Sequence, residues 1–198
     1  MKNILSIKNI LFILLIASFT NCKSVKKAVA ESKPNSEKIN WPDTYKPEEA
    51  GFFVHNEIEI QAPPEIVWQY LINAEAWPQW YEGMTAVKVK TNDTGILEKG
   101  SEFSFKTMGQ NFETVTIKEF EPPYRLSWEA VKNDIQGYHA WLILPTENGC
   151  TVITSEAQQG FKAFLQKAFL PNKLEKLHDI WLQEFKKLAE NETIKQNN

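Results

Sequence analysis

EIEIQAPPEIVWQYLINAEAWPQWYEGM, residues Glu57 to Met84, is the stretch whose reading decides the fold. Glu57 to Ile60 alternates polar and apolar residues, the period of a half-buried strand. Ala62-Pro63-Pro64 follows, and proline presets φ for a first helical turn. Ile66, Val67, Tyr70 and Leu71 then recur at helical spacing and give one apolar face. Asn73 to Ala76 opens a second short helix, and Trp77-Pro78-Gln79-Trp80-Tyr81 gathers three aromatics around a proline.

Downstream, the period switches to two. Strands are expected over Ala86–Lys90, Ser101–Lys106, Glu113–Phe120, Tyr124–Val131, Gln136–Leu144 and Cys150–Gln158. Turn signals punctuate them: Asn92-Asp93-Thr94-Gly95, Gly109, Pro122-Pro123, Asn133-Asp134 and the hairpin pair Asn148-Gly149. Six strands at short, even spacing, plus the one before the helices, imply a seven-stranded antiparallel meander. Gly160 opens a final helix, with Phe161, Phe164, Leu165, Ala168 and Phe169 at helical spacing, then Leu174, Leu177, Trp181, Phe185 and Leu188. Pro171 removes a backbone donor and clashes one turn back, so a kink or break is expected there.

Three sets of residues carry a family resemblance: Ile60-x-Ala62-Pro63-x-Glu65-x-Val67-Trp68 with Trp77-Pro78-x-Trp80; Glu119-Phe120-x-Pro122-Pro123-Tyr124-Arg125-Leu126-x-Trp128; and Trp141-x-Ile143-x-Pro145 with Gly149-x-x-Val152. Over about Val54 to Leu188 the chain resembles the SRPBCC superfamily, which includes START domains, Bet v 1-like proteins and the polyketide cyclase/dehydrase-like group. The resemblance implies an α+β helix-grip fold. In it the seven-stranded antiparallel sheet wraps a long C-terminal helix, two short helices follow strand 1, and a cavity lies between sheet and long helix.

The two ends read differently. Lys2 and Lys8 precede an apolar run, Ile10 to Ser18, too short to span a membrane comfortably but suited to a signal peptide. Phe19-Thr20-Asn21-Cys22 resembles a bacterial lipobox, although such boxes favour Leu at Phe19 and a small residue at Asn21. The expectation is a signal peptide over 1–21 and a lipidated Cys22 that anchors the chain to a membrane of the bacterial envelope; a secreted or periplasmic protein is the alternative. Residues 22–50, rich in Lys, Glu, Ser and Pro, read as a tether on which only Trp41 and Tyr45 are placed to dock. The domain is expected over 51–190 and a frayed polar tail over 191–198. Cys150, without a partner once Cys22 is lipidated, reads as a small buried hydrophobe.

A length of 198 residues suits a leader plus one domain, and a formal charge of −3 argues against nucleic acid. Motifs for a serine hydrolase, zinc protease, dithiol, P-loop or dinucleotide site are missing. His55, His139 and His178 stand far apart without metal-ligand spacing, so neither metal nor cofactor is expected. Strand alternation, anchored on the family match at Trp141-x-Ile143, turns His139, Trp141 and Ile143 toward the cavity. On the next strand Cys150, Val152, Thr154 and Glu156 share a face, so His139 and Glu156 meet if both assignments hold. They are the candidates for an acid/base pair or a polar head-group contact; a satisfied sheet histidine with an outward carboxylate is the plainer alternative. Trp80, Tyr81, Phe103, Phe105, Trp128, Phe164 and Phe169 complete the candidate lining, with ordinary core packing as the alternative for each. Glu82-Gly83 reads as a flexible lip. Lys162, Lys167, Lys173 and Lys176, interspersed with Glu175, Asp179 and Glu184, read as a solvated face. The expected function is binding of a small apolar or amphipathic ligand; a cyclase, dehydrase or hydrolase using His139 and Glu156, and a structural protein with a filled cavity, are the alternatives.

Overall fold

The computed structural model describes residues 34–196. Seven strands, β1 (Phe52–Ile60), β2 (Thr85–Val89), β3 (Glu102–Thr107), β4 (Gln110–Glu121), β5 (Arg125–Lys132), β6 (Ile135–Thr146) and β7 (Gly149–Gln159), form one antiparallel sheet in the order β1-β7-β6-β5-β4-β3-β2. Between β1 and β2 lie helix α1 (Pro64–Ile72) and a 3-10 segment, Ala74–Gln79. After β7 come α2 (Phe161–Phe169) and the 24-residue α3 (Lys173–Gln196). This is the expected helix-grip α+β architecture. Among the described residues no helix is long and apolar enough to cross a membrane.

Local chemistry explains the elements. Pro64 opens α1, and Ile66, Val67, Trp68 and Leu71 bury its inner face. The helix is closed by the next segment: the Trp77 indole N–H reaches the carbonyls of Leu71 (3.2 Å) and Tyr70 (3.3 Å), two acceptors that a helix end leaves without partners. Glu75 accepts the Val89 amide (2.9 Å) and pairs with Lys88 (3.0 Å), tying the 3-10 segment to β2. Pro171 divides the final helix as its ring chemistry requires, between Phe169 and Lys173.

Strand alternation sorts the sheet into two faces. Leu126, Trp128, His139, Trp141, Ile143, Val152 and Glu156 point toward α3, which lays Leu174, His178, Trp181, Leu182 and Phe185 along them. Tyr138, Ala140, Leu142, Ile153 and Ala157 point the other way, and residues 34–50 cover them. There Ile39, Tyr45 and Ala50 are buried, Tyr45 stacks on Tyr138, and Trp41 meets Phe53 and Tyr138 edge-on or tilted.

Two boundaries expected from sequence need correction. Residues 34–50 are a strap packed on the sheet, not tether. Their composition is polar, yet a few anchors suffice because they land on an apolar surface the sheet has already ordered. Short 3-10 turns space those anchors, so no helical or strand period shows in the sequence. Residues 191–196, expected to fray, are the last turns of α3, where the Thr193 hydroxyl bonds the Ala189 carbonyl at 2.9 Å. The leader and Cys22 lie outside the described residues.

Candidate functional site

Between the sheet's concave face and α3 lies a partly open cavity of about 50 Å³. Its walls are Tyr81, Phe105, Trp128 and Trp181, with Met108 and Gln110 of the β3–β4 turn and Gln166 of α2 at its margin. Its polar end is His139, Glu156 and His178.

Three elements deliver that polar end. His139 (β6) and Glu156 (β7) are directly opposed in the strand register. His178 comes from α3, one turn after Leu174 and one turn before Trp181, on the stripe that faces the sheet. His139 Nδ1 stands 3.4 Å and His178 Nε2 3.5 Å from the same oxygen, Glu156 Oε2. The other carboxylate oxygen, Oε1, accepts the Gln158 amide at 2.6 Å. His139 Nε2 shares a 2.6 Å hydrogen bond with the Thr154 hydroxyl. The His139 ring is flanked by His178 (4.7 Å), Trp128 (4.6 Å) and Trp141 (5.3 Å). Gly137 makes room for the carboxylate, because a Cβ there would stand 3.1 Å from Glu156 Oε1.

Burial sets the electrostatics. His139 is 4 % and His178 2 % exposed. Desolvation first, and then the neighbouring His178, lower the His139 pKa to about 3; the Glu156 charge offsets them only in part. His139 is therefore neutral at physiological pH. Burial pushes Glu156 upward, but the contacts from His178, His139 and Gln158 outweigh it and hold the carboxyl below its usual range. Tyr81, stacked on Trp181 at 4.5 Å, is held protonated by burial and then by the Glu156 charge.

The sequence matches the family described as polyketide cyclase / dehydrase and lipid transport over residues 52–190, most of the chain. The chain belongs to this family. A hypothetical protein from Helicobacter pylori is 28% identical, with a TM-score of 0.71 over 76% of this chain and 95% of its own. Two more distant structures share the fold. The di-domain ARO/CYC StfQ from the steffimycin biosynthetic pathway is 13% identical, with a TM-score of 0.59 over 72% of this chain and 53% of its own. A protein from Thermus thermophilus is 16% identical, with a TM-score of 0.55 over 69% and 96%. No curated protein matches.

Within this polyketide cyclase / dehydrase and lipid-transport domain, the residues singled out from sequence divide three ways. Tyr81, Phe105, Trp128, His139 and Glu156 reach the cavity. Phe103 and Trp141 are core, fully buried against their neighbours, and Trp80 packs partly buried on Phe185. Phe164 and Phe169, expected as lining, are instead 52% and 77% exposed. Helical spacing marked their face but not which side is covered: α2 turns Ala163 and Gln166 inward and its phenylalanines to solvent. Cys150 is a free buried thiol whose pKa burial, and then Glu65, pushes up to about 11. Separation in sequence hid the meeting of two histidines. His178 could have been found from its place on the Leu174–Trp181–Phe185 stripe, where a polar residue among apolar ones is the signal. Met108, Gln110 and Gln166 carry no comparable signal, since the fold alone brings the β3–β4 turn and α2 together.

Proposed function

We propose that this domain binds a small hydrophobic or amphipathic ligand, its apolar body against Tyr81, Phe105, Trp128 and Trp181 and its polar group at His139, Glu156 and His178. One observation carries the reading: an aromatic-walled cavity ends in buried polar side chains with hydrogen-bonding capacity to spare. Its 50 Å³ accommodates a few water-sized groups, well below the roughly 300–1,000 Å³ of sites for drug-sized molecules. The closed form thus takes only the inner end of a ligand. A lipid- or polyketide-sized body enters by parting α2 from the β3–β4 turn. The hydrogen bond across that margin is weak, a Gln166 amide on the Met108 sulfur at 3.7 Å, beside the packing of Met108 on the cluster that includes Ala163. The leader and Cys22 support an envelope lipoprotein that works beside a membrane.

Native mass spectrometry of the purified full chain, with organic extraction of whatever is bound, tests this. A discrete co-purifying mass, or one gained from a panel of fatty acids, phospholipids and aromatic polyketides, is expected. A chain that stays empty throughout favours a core filled by its own side chains.

A cyclase, dehydrase or hydrolase is the second reading, favoured by the 3.4 Å approach of His139 to Glu156. Its weakness is basicity: an imidazole with a pKa near 3 is a poor general base at neutral pH. Binding therefore ranks first. Full turnover of an identified substrate by a His139→Gln variant would remove the enzymatic role of this pair.

A further inference from the structure

We propose that His139, Glu156 and His178 form a site for one divalent transition-metal ion of the zinc class, at the inner end of the cavity. The inference stands on donor chemistry and does not rest on the organic-ligand reading.

Two imidazoles and one carboxylate offer ligand atoms that all lie within 4.8 Å of one another. Around a zinc ion with bonds of ~2.0–2.2 Å, neighbouring tetrahedral ligand atoms stand ~3.3–3.5 Å apart. The pairs His139 Nδ1–Glu156 Oε2 (3.4 Å) and His178 Nε2–Glu156 Oε2 (3.5 Å) already have that separation. A charge-assisted hydrogen bond would draw the same atoms to ~2.7–2.9 Å. Those two separations suit an ion between the groups, and the two imidazole ligand atoms, which lie within 4.8 Å of each other, would close toward it.

A second observation points the same way. His178 is 2 % exposed; its Nδ1 has no hydrogen-bond partner, and its Nε2 has only the long 3.5 Å approach to Glu156 Oε2. A metal bond to Nε2 would replace that long contact with a short, directed one. The outer contacts are also those of a metal centre, where a ligating histidine fixes its second nitrogen and a ligating carboxylate is itself hydrogen-bonded. Thr154 holds His139 Nε2 at 2.6 Å, and Gln158 holds Glu156 Oε1 at 2.6 Å. With three protein ligands, the remaining coordination position faces the cavity, open to water or to the polar group of a ligand.

The test uses the full chain, stripped with chelator and titrated with Co²⁺, read by visible absorption, and with Zn²⁺, read by calorimetry. The expected result is one ion per chain, tetrahedral-type cobalt bands and a higher melting temperature with Zn²⁺. Glu156→Gln and His178→Gln should each abolish the bands or weaken binding by about tenfold or more. Thr154→Val, outside the ligand set, covers the case in which those variants misfold and should weaken binding by ~10–100-fold. His55→Gln, on the other sheet face, should change nothing. Absence of one-to-one binding, or binding equally strong in folded His178→Gln or Thr154→Val, would overturn the site. Because no organic ligand takes part, that outcome leaves the mass-spectrometric test of the cavity intact.

Discussion

The two faces of one sheet have been finished in opposite ways. On the convex face, beneath the 34–50 strap, polar groups are paired: Ser127 with Tyr138 (2.6 Å), Tyr45 with Glu129 (2.9 Å), Asn40 with Glu119 (2.6 Å) and Arg125 with the Lys38 carbonyl (3.0 Å). The Trp41 indole N–H is the exception there. On the concave face, beneath α3, His178, Trp181 and the Gln158 carbonyl all leave buried polar atoms without partners around the cavity. Adjacent residues of β6, Tyr138 and His139, belong to these two environments. A short strap closes a face whose polar groups are paired but for the Trp41 indole, whereas a 24-residue helix covers the other and leaves it unfinished. Stability explains the first. Unmatched polar atoms against aromatic walls are what a binding site retains.

The sharpest break in this comparison would come from the aromatic centre. Trp181 is buried among Tyr81, Trp77, Trp141 and Phe185, so Trp181→Ala should cost ~3–5 kcal/mol in denaturant unfolding. Tyr45→Ala, on the strap, should cost less, ~1.5–3 kcal/mol, since it removes one ring and one hydrogen bond from a segment that can peel away. If the strap variant proved the more damaging, the contrast between a structural centre and an added cover would fail.

Acid should act on the concave face. The folded-state pKa of His139 is depressed to about 3, so between that value and its ordinary ~6.5 the unfolded chain binds a proton that the fold refuses. Glu156, also held low, contributes stability above the usual glutamate range that is lost as pH falls through its folded value. Both effects have one sign: stability is complete above about pH 6.5 and declines toward pH 3. In the presence of chelator the protein should lose a few kcal/mol over that window, and His139→Gln should flatten the decline.

Smaller effects sharpen the picture. Gly137→Ala presses a methyl on Glu156 Oε1 and should cost about 1 kcal/mol while displacing the carboxylate from its partners, visible as altered ligand affinity. Phe169→Ser, on the exposed face of α2, should stay within ±0.5 kcal/mol.

What could be read from sequence follows from where the information is stored. Proline-started helix, tryptophan turn, alternating strands and the Pro171 break are local chemistry, and each is legible within a few residues. His139 and Glu156 were legible as a facing pair because strand alternation, anchored on the match at Trp141-x-Ile143, turns both toward the same side of paired strands. Of the strap only Trp41 and Tyr45 were legible as docking residues, and both pack on Tyr138; its full extent was not, because its anchors have no period of their own and depend on the sheet beneath. His178 is not legible from the sequence spacing between histidines, because its neighbours are set by how α3 lies across the sheet. Phe164 and Phe169 misled for the reverse reason: a strong helical face says nothing about whether anything covers it.

The central claim is that the concave cavity is a binding site, and one paired measurement tests it most directly. Ala130 lines the cavity, so Ala130→Leu fills it from within. Native mass spectra of the full-length protein and this variant, both verified as folded by circular dichroism, would be compared after exposure to the same lipid and polyketide panel. The account predicts a bound mass on the wild-type chain that the filled variant lacks. An equal ligand load on both, or none on either, would contradict it.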